Sequence, residues 1–166
     1  VVSQLHREFI RAGTDIVQAF TYYGHREKLR LIGKEDLLEP LQKNALQIAK
    51  DARDEFKDLD LLVCGDVANT NIYNPDDKKS HIECQKMYEE QVGWAKEAGV
   101  DFIVAETINW TEEMKIALKA IKDAGMIAVT NFSIKKGDKT REGHTPGDAC
   151  KICLLYTSDA ADESDR

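Results

Sequence analysis

The sequence contains no apolar run near the roughly 18 residues that a membrane-spanning helix needs. It has no basic block beyond two lysine pairs, Lys78 with Lys79 and Lys135 with Lys136, and its formal net charge is −7. We therefore expect neither a nucleic-acid partner nor a membrane surface, since both require clustered positive charge. No glycine-rich phosphate loop follows an apolar segment, which argues against a nucleotide-binding open sheet.

An initiator methionine and a signal-peptide pattern are also missing from the N-terminus. We expect the chain to begin inside a longer reading frame or to be a processed product. The four cysteines form no disulfide framework, so a reducing cytoplasmic setting fits. Cys64 and Cys84 lie in apolar patterns and are interpreted as small core residues. Cys150 and Cys153 have C-x-x-C spacing without a second pair, which is weak evidence for zinc.

The composition, 42% hydrophobic and 32% charged, is that of a globular domain with its own core. Four apolar segments alternate with amphipathic helical stripes, which is typical of parallel strands joined by right-handed crossovers. Strands are predicted over 15–22, 59–67, 101–107 and 126–132. The helical stripes consist of Val2, Leu5, Phe9 and Ala12; Leu41, Ala45, Ile48 and Ala52; Cys84, Tyr88, Val92 and Ala95; and Met114, Leu118 and Ile121.

The ends of these helices also carry recognisable signals. Gly13, Gly99 and Gly125 each stand between a helix and the next strand, where a left-handed cap is needed. Thr111, which precedes two acidic residues, is predicted to cap the fourth helix, and a further helix is predicted to open after Thr145.

The segment 101–108 is the most informative one, because its apolar run ends in a carboxylate, Glu106. Burying that charge without a partner is costly, and at the carboxyl end of a parallel strand the partner is often a ligand. The alternative partner is a structural Lys or Arg. Hydrogen-bonding groups follow the other strands as well, and the candidate site residues chosen on this ground are Tyr22, Tyr23, Asp66, Asn69 and Thr107.

Two architectures place such residues together, an open doubly wound sheet and a closed barrel. The missing phosphate loop favours the barrel, whose sites are built at the carboxyl ends of its strands. Glu106 suits an ammonium group through a charge-assisted hydrogen bond. The rings of Tyr22 and Tyr23 suit a quaternary ammonium or sulfonium cation.

Several collinear motifs resemble the homocysteine S-methyltransferase family, and within it the betaine-using branch. The segments 4–13, 17–23, 101–108 and 143–148 match that family in kind and order. The resemblance covers about residues 1–152. It implies an α/β fold that forms part of a TIM (β/α)8 barrel, about strands 2 to 5 with their helices.

The resemblance also implies an activity, the transfer of a methyl group from a small donor to homocysteine, which gives methionine. Family members bind homocysteine as a thiolate on zinc, because the thiolate is the nucleophile. By the same resemblance Glu106 holds the amino group of homocysteine, Tyr23 lies at the substrate carboxylates, and Tyr22 and Gln18 lie nearby. Thr107 stands where the betaine branch has a tyrosine. The donor is therefore open among betaine, S-methylmethionine, a methylated folate and another methylated amine.

The family's zinc ligands are cysteines on later strands, and none of the four cysteines here matches them. We expect residues 1–152 to be a partial homocysteine-binding barrel domain, and residues 153–166 to be a non-native tail that resembles a translated sequencing adapter. The chain is then a fragment without its first and last barrel strands, inactive alone. The full-length protein is expected to be a cytoplasmic, homo-oligomeric enzyme. The alternatives are a pterin-dependent methyltransferase or aldolase with Glu106 as acid or base, and an inactive binding module.

Overall fold

Helices and strands alternate along most of the computed structural model, which describes residues 1–134 and 137–157. The four strands form one parallel sheet in the order β1-β2-β3-β4. The strands are β1 (Ile16–Gln18), β2 (Leu62–Ala68), β3 (Phe102–Ile108) and β4 (Ala128–Phe132). The helices are α1 (Val2–Arg11), α2 (Arg26–Leu31), α3 (Leu38–Asp54), α4 (Lys78–Ala98), α5 (Thr111–Asp123) and α6 (Pro146–Thr157), with a 3-10 turn at Glu35–Leu37. The predicted α/β class with parallel strands is confirmed.

One face of the sheet forms the core with the helices. Val63, Ile103 and Ala105 are fully buried, and they belong to one cluster with the apolar stripes of α4 and α5. All seven predicted stripe residues of these two helices are at most 4% exposed, so both predictions are confirmed. Each large side chain buried in this way stabilises the fold by about 1.5–3 kcal/mol. Gly65 allows the close approach of α4, because a Cβ at this position would lie 3.0 Å from the Ala95 Cβ.

The opposite face of the sheet is only partly covered by the described residues. Ile16, Leu62 and Val129 are 42%, 43% and 45% exposed. The strand register places Ile16 beside Leu62, and Val129 beside Val104. In a parallel sheet both faces are normally covered, and in a barrel the second face lines the interior. This face is therefore the one that corresponds to the barrel interior.

Two predictions at the N-terminal end of the chain are wrong. The first strand ends at Gln18 rather than Tyr22, because the backbone turns back on itself where Thr21 N donates to Ala19 O at 2.9 Å. The stripe of α1 is also wrong: Leu5 and Phe9 are 37% and 59% exposed, while His6 and Ile10 are the buried residues. No second apolar layer among the described residues covers the Leu5 and Phe9 side of the helix.

The cap of α5 differs from the prediction as well. Trp110 occupies the N-cap position, and Thr111 is the first helical residue. The free amides are satisfied by Glu142, whose carboxylate accepts hydrogen bonds from Thr111 N at 2.8 Å and Glu112 N at 3.0 Å. Burial opposes ionisation of Glu142, but the hydrogen bonds from the Glu112 and Thr111 amides lower its pKa. A carboxylate at a helix N-terminus is also favourable in the field of the helix dipole.

The last described helix continues past the expected end of the native sequence. Helix α6 extends to Thr157, and Cys153 within it is 4% exposed. Residues 153–157, which are predicted to belong to the non-native tail, continue the helix, because Leu154 and Leu155 are good helix formers and no Gly or Pro follows them. Residues 158–166 of the predicted tail lie outside the described residues, and its origin stays a prediction. No helix in the described part of the chain is long and apolar enough to span a membrane.

Candidate functional site

Three polar side chains from neighbouring strands meet on the partly covered face of the sheet. Gln18, the last residue of β1, donates through Nε2 to Asp66 Oδ2 at 3.0 Å and to Glu106 Oε2 at 3.1 Å. An amide nitrogen has two N–H groups, so one can serve each carboxyl group. We call these residues the Gln18–Asp66–Glu106 cluster. They line a cavity of about 490 Å³ together with Tyr22.

Asp66 is the most deeply buried member of the cluster and is only 4% exposed. Its Oδ1 atom has no hydrogen-bond partner, although it is shielded from solvent. Burial raises the pKa of Asp66 from 3.8 to about 7, the Gln18 amide opposes this shift, and the nearby Glu106 carboxylate adds to it. Two carboxyl groups that face one cavity, with only one amide between them, favour a ligand that brings hydrogen-bond donors or positive charge.

The backbone around Glu106 is irregular in a way that is common beside functional sites. The pairing of β3 with β4 shifts register between Ala105 and Ile108, which is a β-bulge. Thr107 lies within it at φ +57°. A β-branched residue in the left-handed region is strained, and bulges redirect the side chains next to them. Glu106 keeps its regular pairing with Ala68 of β2 on one side and stands beside the bulge on the other.

The two tyrosines of the predicted site lie just beyond β1. The Thr21 hydroxyl donates to Asp66 O at 2.9 Å, which fixes this turn against β2. The Tyr22 and Tyr23 ring centroids are 4.3 Å apart. Tyr22 lines the cavity, and burial raises its pKa, while a hydrogen bond with Thr107 opposes that shift. Tyr23 is 48% exposed, outside the residues that line the cavity, with the Lys28 ammonium 4.5 Å from its ring centroid.

Asn69 is not part of this cluster. Its Nδ2 atom donates to Asn71 Oδ1 at 2.7 Å, and it lines a different cavity of about 240 Å³. The structure thus brings together Gln18, Tyr22, Asp66 and Glu106, with Thr107 beside them. Asn69 and Tyr23 lie apart from these residues.

His6 lines the larger cavity and was missed in the sequence. It is 6% exposed, and its Nε2 atom is buried without a hydrogen-bond partner. Burial lowers its pKa, so the neutral ring is favoured. The sequence gives only a weak signal for His6. A histidine that follows a residue of an apolar helical stripe, as His6 follows Leu5, is equally typical of the polar edge of that stripe.

The cysteines do not fit a metal site. Within residues 1–134 and 137–157 there is no group of three or more His, Cys, Asp or Glu side chains that could hold a metal ion. Burial raises the pKa of the Cys64 and Cys84 thiols to about 12, whereas zinc binds the thiolate. Cys64 and Cys84 are buried core residues, as predicted. Cys150 is exposed and Cys153 is buried.

Comparison with known proteins places this geometry in a family. The model of the family "Homocysteine S-methyltransferase" matches residues 1–158. The chain is 34% identical over 159 residues to betaine–homocysteine S-methyltransferase 1 of Sus scrofa, covering 93% of this chain and 54% of that protein. It is also 34% identical to the Rattus norvegicus protein of the same name, covering 93% of this chain and 37% of that protein. The chain therefore spans between about a third and about half of the length of these relatives.

Solved structures support the fold. The homocysteine methyltransferase MmuM from Escherichia coli, in its oxidised form, superposes with a TM-score of 0.79 at 19% identity. The superposition covers 94% of this chain and 58% of that one. The parallel four-stranded sheet is accordingly part of a TIM barrel, as expected from the sequence. By its match to the family model over nearly its whole described length, the chain belongs to the homocysteine S-methyltransferase family.

Proposed function

We propose that this chain forms the homocysteine-binding part of a methyltransferase, and that Glu106 binds the amino group of homocysteine. The observation that carries the proposal is the Gln18–Asp66–Glu106 cluster, in which one amide links two carboxyl groups beside a cavity. Family membership supports the reaction class over a pterin-dependent methyltransferase, an aldolase or an inactive module. The whole protein would transfer a methyl group from a small donor to the homocysteine sulfur and release methionine.

The roles of the chain's own residues follow from their contacts. Gln18 donates to Asp66 Oδ2 and Glu106 Oε2, and Asp66 Oδ1 has no hydrogen-bond partner, so we assign Asp66 Oδ1 and the Glu106 carboxyl group to the ligand. An ammonium donates three hydrogen bonds and can meet both carboxyl groups. Tyr22 supplies a ring and a hydroxyl at the same cavity. Tyr23 lies nearer the surface, where it can meet a substrate only as the substrate enters or after the loop that follows β1 moves.

The methyl donor is assigned only by class. Relatives are named for betaine, and Thr107 stands at the position where the resemblance predicts the betaine-binding tyrosine. The shorter side chain leaves room for a donor of different shape, so we propose a methylated amine or sulfonium without choosing among them.

Zinc would keep the homocysteine thiol ionised, and the proposal assigns its ligation to none of the described residues. A cytoplasmic location and a homo-oligomeric whole protein belong to the same proposal.

The test is calorimetric titration of L-homocysteine into the purified chain and into Glu106→Gln. We expect the substitution to weaken binding by about tenfold or more, because a hydrogen bond to a charged group contributes about 1.5–3 kcal/mol. The matched control is Glu112→Gln, an exposed carboxylate at the start of α5. Equal binding by the wild-type chain and Glu106→Gln would contradict the assignment of Glu106, and so would equal losses in both variants.

A further inference from the structure

A second cavity, which is polar, shares no lining residue with the first. It has a volume of about 240 Å³ and is formed by the segments that follow β2, β3 and β4. Its walls are almost wholly polar, and the residues that matter are Asn69, Asn71, Asn109, Trp110, Glu113 and Arg141. All six are described residues of this chain.

Two residues that line this cavity, Asn109 and Glu113, carry buried hydrogen-bond acceptors. Asn109 Oδ1 is buried and has no hydrogen-bond partner. Glu113 is 1% exposed, and its Oε1 atom accepts three bonds, from Thr70 N and Thr70 Oγ1 at 2.7 Å and from Tyr88 OH at 3.2 Å. All three bonds end on Oε1. An unsatisfied buried acceptor costs about 1–3 kcal/mol, which a ligand with N–H donors would recover.

A positive charge, that of Arg141, also lines this cavity. The Arg141 guanidinium lies 5.4 Å from the centre of the Trp110 ring, and its backbone N–H donates to Asn109 O at 3.1 Å. This backbone bond fixes the segment of Arg141 against the loop that carries Asn109. Burial raises the pKa of Glu113, while the hydrogen bonds from Thr70 and Tyr88 and the charge of Arg141 oppose that shift. A guanidinium presents paired donors that match a carboxylate.

We propose that this cavity binds a small α-amino acid zwitterion, separate from the homocysteine site. The ammonium meets Asn109 Oδ1 and Glu113 Oε2, and the carboxylate meets the Arg141 guanidinium and the amide groups of Asn69 and Asn71. The polar walls and the small volume select an amino acid with a short side chain. A ligand with only one of the two charges leaves one side of the cavity unpaired.

The experiment uses Trp110 as the reporter, in the chain with Trp94→Phe so that it holds one tryptophan. Glycine and L-serine are titrated while Trp110 fluorescence is followed. Calorimetry on the wild-type chain then checks the dissociation constant of each amino acid. Methylamine and acetate, which each carry one charge, serve as ligand controls. We expect glycine and L-serine to saturate the signal, with affinities about tenfold or more above those of methylamine and acetate.

Two variants separate ligand binding from a structural role. Asn109→Leu removes an acceptor that has no partner in the protein, so it should keep or raise the melting temperature while weakening glycine binding about tenfold or more. Arg141→Gln, at an exposed position, should weaken binding to a similar degree without affecting folding. Asn44→Leu on the exposed side of α3 is the matched control and should change neither.

Three outcomes would overturn the proposal. They are an unsaturated signal with both amino acids, equal affinity for methylamine or acetate, and unchanged glycine affinity in both Asn109→Leu and Arg141→Gln. Because Glu106→Gln is expected to leave glycine binding here intact, failure of this inference is distinguishable from failure of the proposed function.

Discussion

The two faces of the sheet are built from the same four strands and yet differ in completeness. The face toward α4 and α5 is closed, with Val63 and Ile103 fully buried. The other face leaves Ile16 and Leu62 about two-fifths exposed, and it carries the Gln18–Asp66–Glu106 cluster. The closed face stabilises the fold, whereas the open face holds buried charge and unpaired acceptors. Stability and binding are thus separated by the alternation of side chains along each strand.

The largest effect should come from the closed face. Ile103→Ala removes a fully buried side chain between the sheet and its helices, and we expect the free energy of unfolding to fall by about 3–4 kcal/mol. Leu62→Ala on the open face is the matched change and should cost less than about 1 kcal/mol, because the side chain is already 43% exposed. Urea denaturation of both variants measures the difference. Similar losses would mean that the open face is covered in solution.

The next effect concerns the buried carboxyl group of Asp66. Its pKa is about 7 in the folded chain against an ordinary 3.8, so the folded state holds the proton more tightly between these values. The free energy of unfolding should therefore fall as the pH rises from about 4 to about 7, by an amount on the order of 3 kcal/mol from this group.

Asp66→Asn isolates this contribution, since the amide cannot ionise. The variant should be more stable than the wild-type chain above pH 7 and nearly equal to it near pH 4. Denaturant midpoints at a series of pH values measure the two curves. Parallel curves would show that Asp66 titrates as an ordinary surface carboxylate.

The smallest effect concerns the strained bulge beside Glu106. Thr107 has φ +57°, a conformation that costs a β-branched residue roughly 1–2 kcal/mol and glycine very little. Thr107→Gly should therefore raise the free energy of unfolding by about 1 kcal/mol while weakening ligand binding, because the freed backbone no longer fixes Glu106. Thermal unfolding measures the change in stability, and homocysteine titration measures the change in binding. A loss of stability with unchanged binding would remove the functional role of the bulge.

Much of the closed face could be predicted from the sequence. The stripes of α4 and α5 obey helical spacing, and Gly13, Gly99 and Gly125 all adopt the predicted left-handed conformation, with φ of 98°, 73° and 75°. These features depend on local pattern and on burial between neighbouring elements. The stripe of α1 failed because helical spacing says which residues share a face, but not whether the chain provides something to cover it.

The site could be predicted only in part. Glu106 and Asp66 were found because each stands at the carboxyl end of an apolar strand. The hydrogen bonds from Gln18 to Asp66 and Glu106 could not be predicted from sequence spacing. They span 48 and 88 positions of the chain, and they depend on the register of the strands. The orphaned acceptors of Asn109 and Asp66 depend on three-dimensional packing, and no sequence pattern reports them.

The most direct test of the central claim changes the ligand and the protein together. Binding of L-homocysteine is compared with binding of 4-mercaptobutanoate, which lacks the amino group, in the wild-type chain and in Glu106→Gln. If Glu106 holds the ammonium, the wild-type chain should prefer homocysteine by about tenfold or more, and Glu106→Gln should lose that preference. The same preference in both proteins would contradict the account.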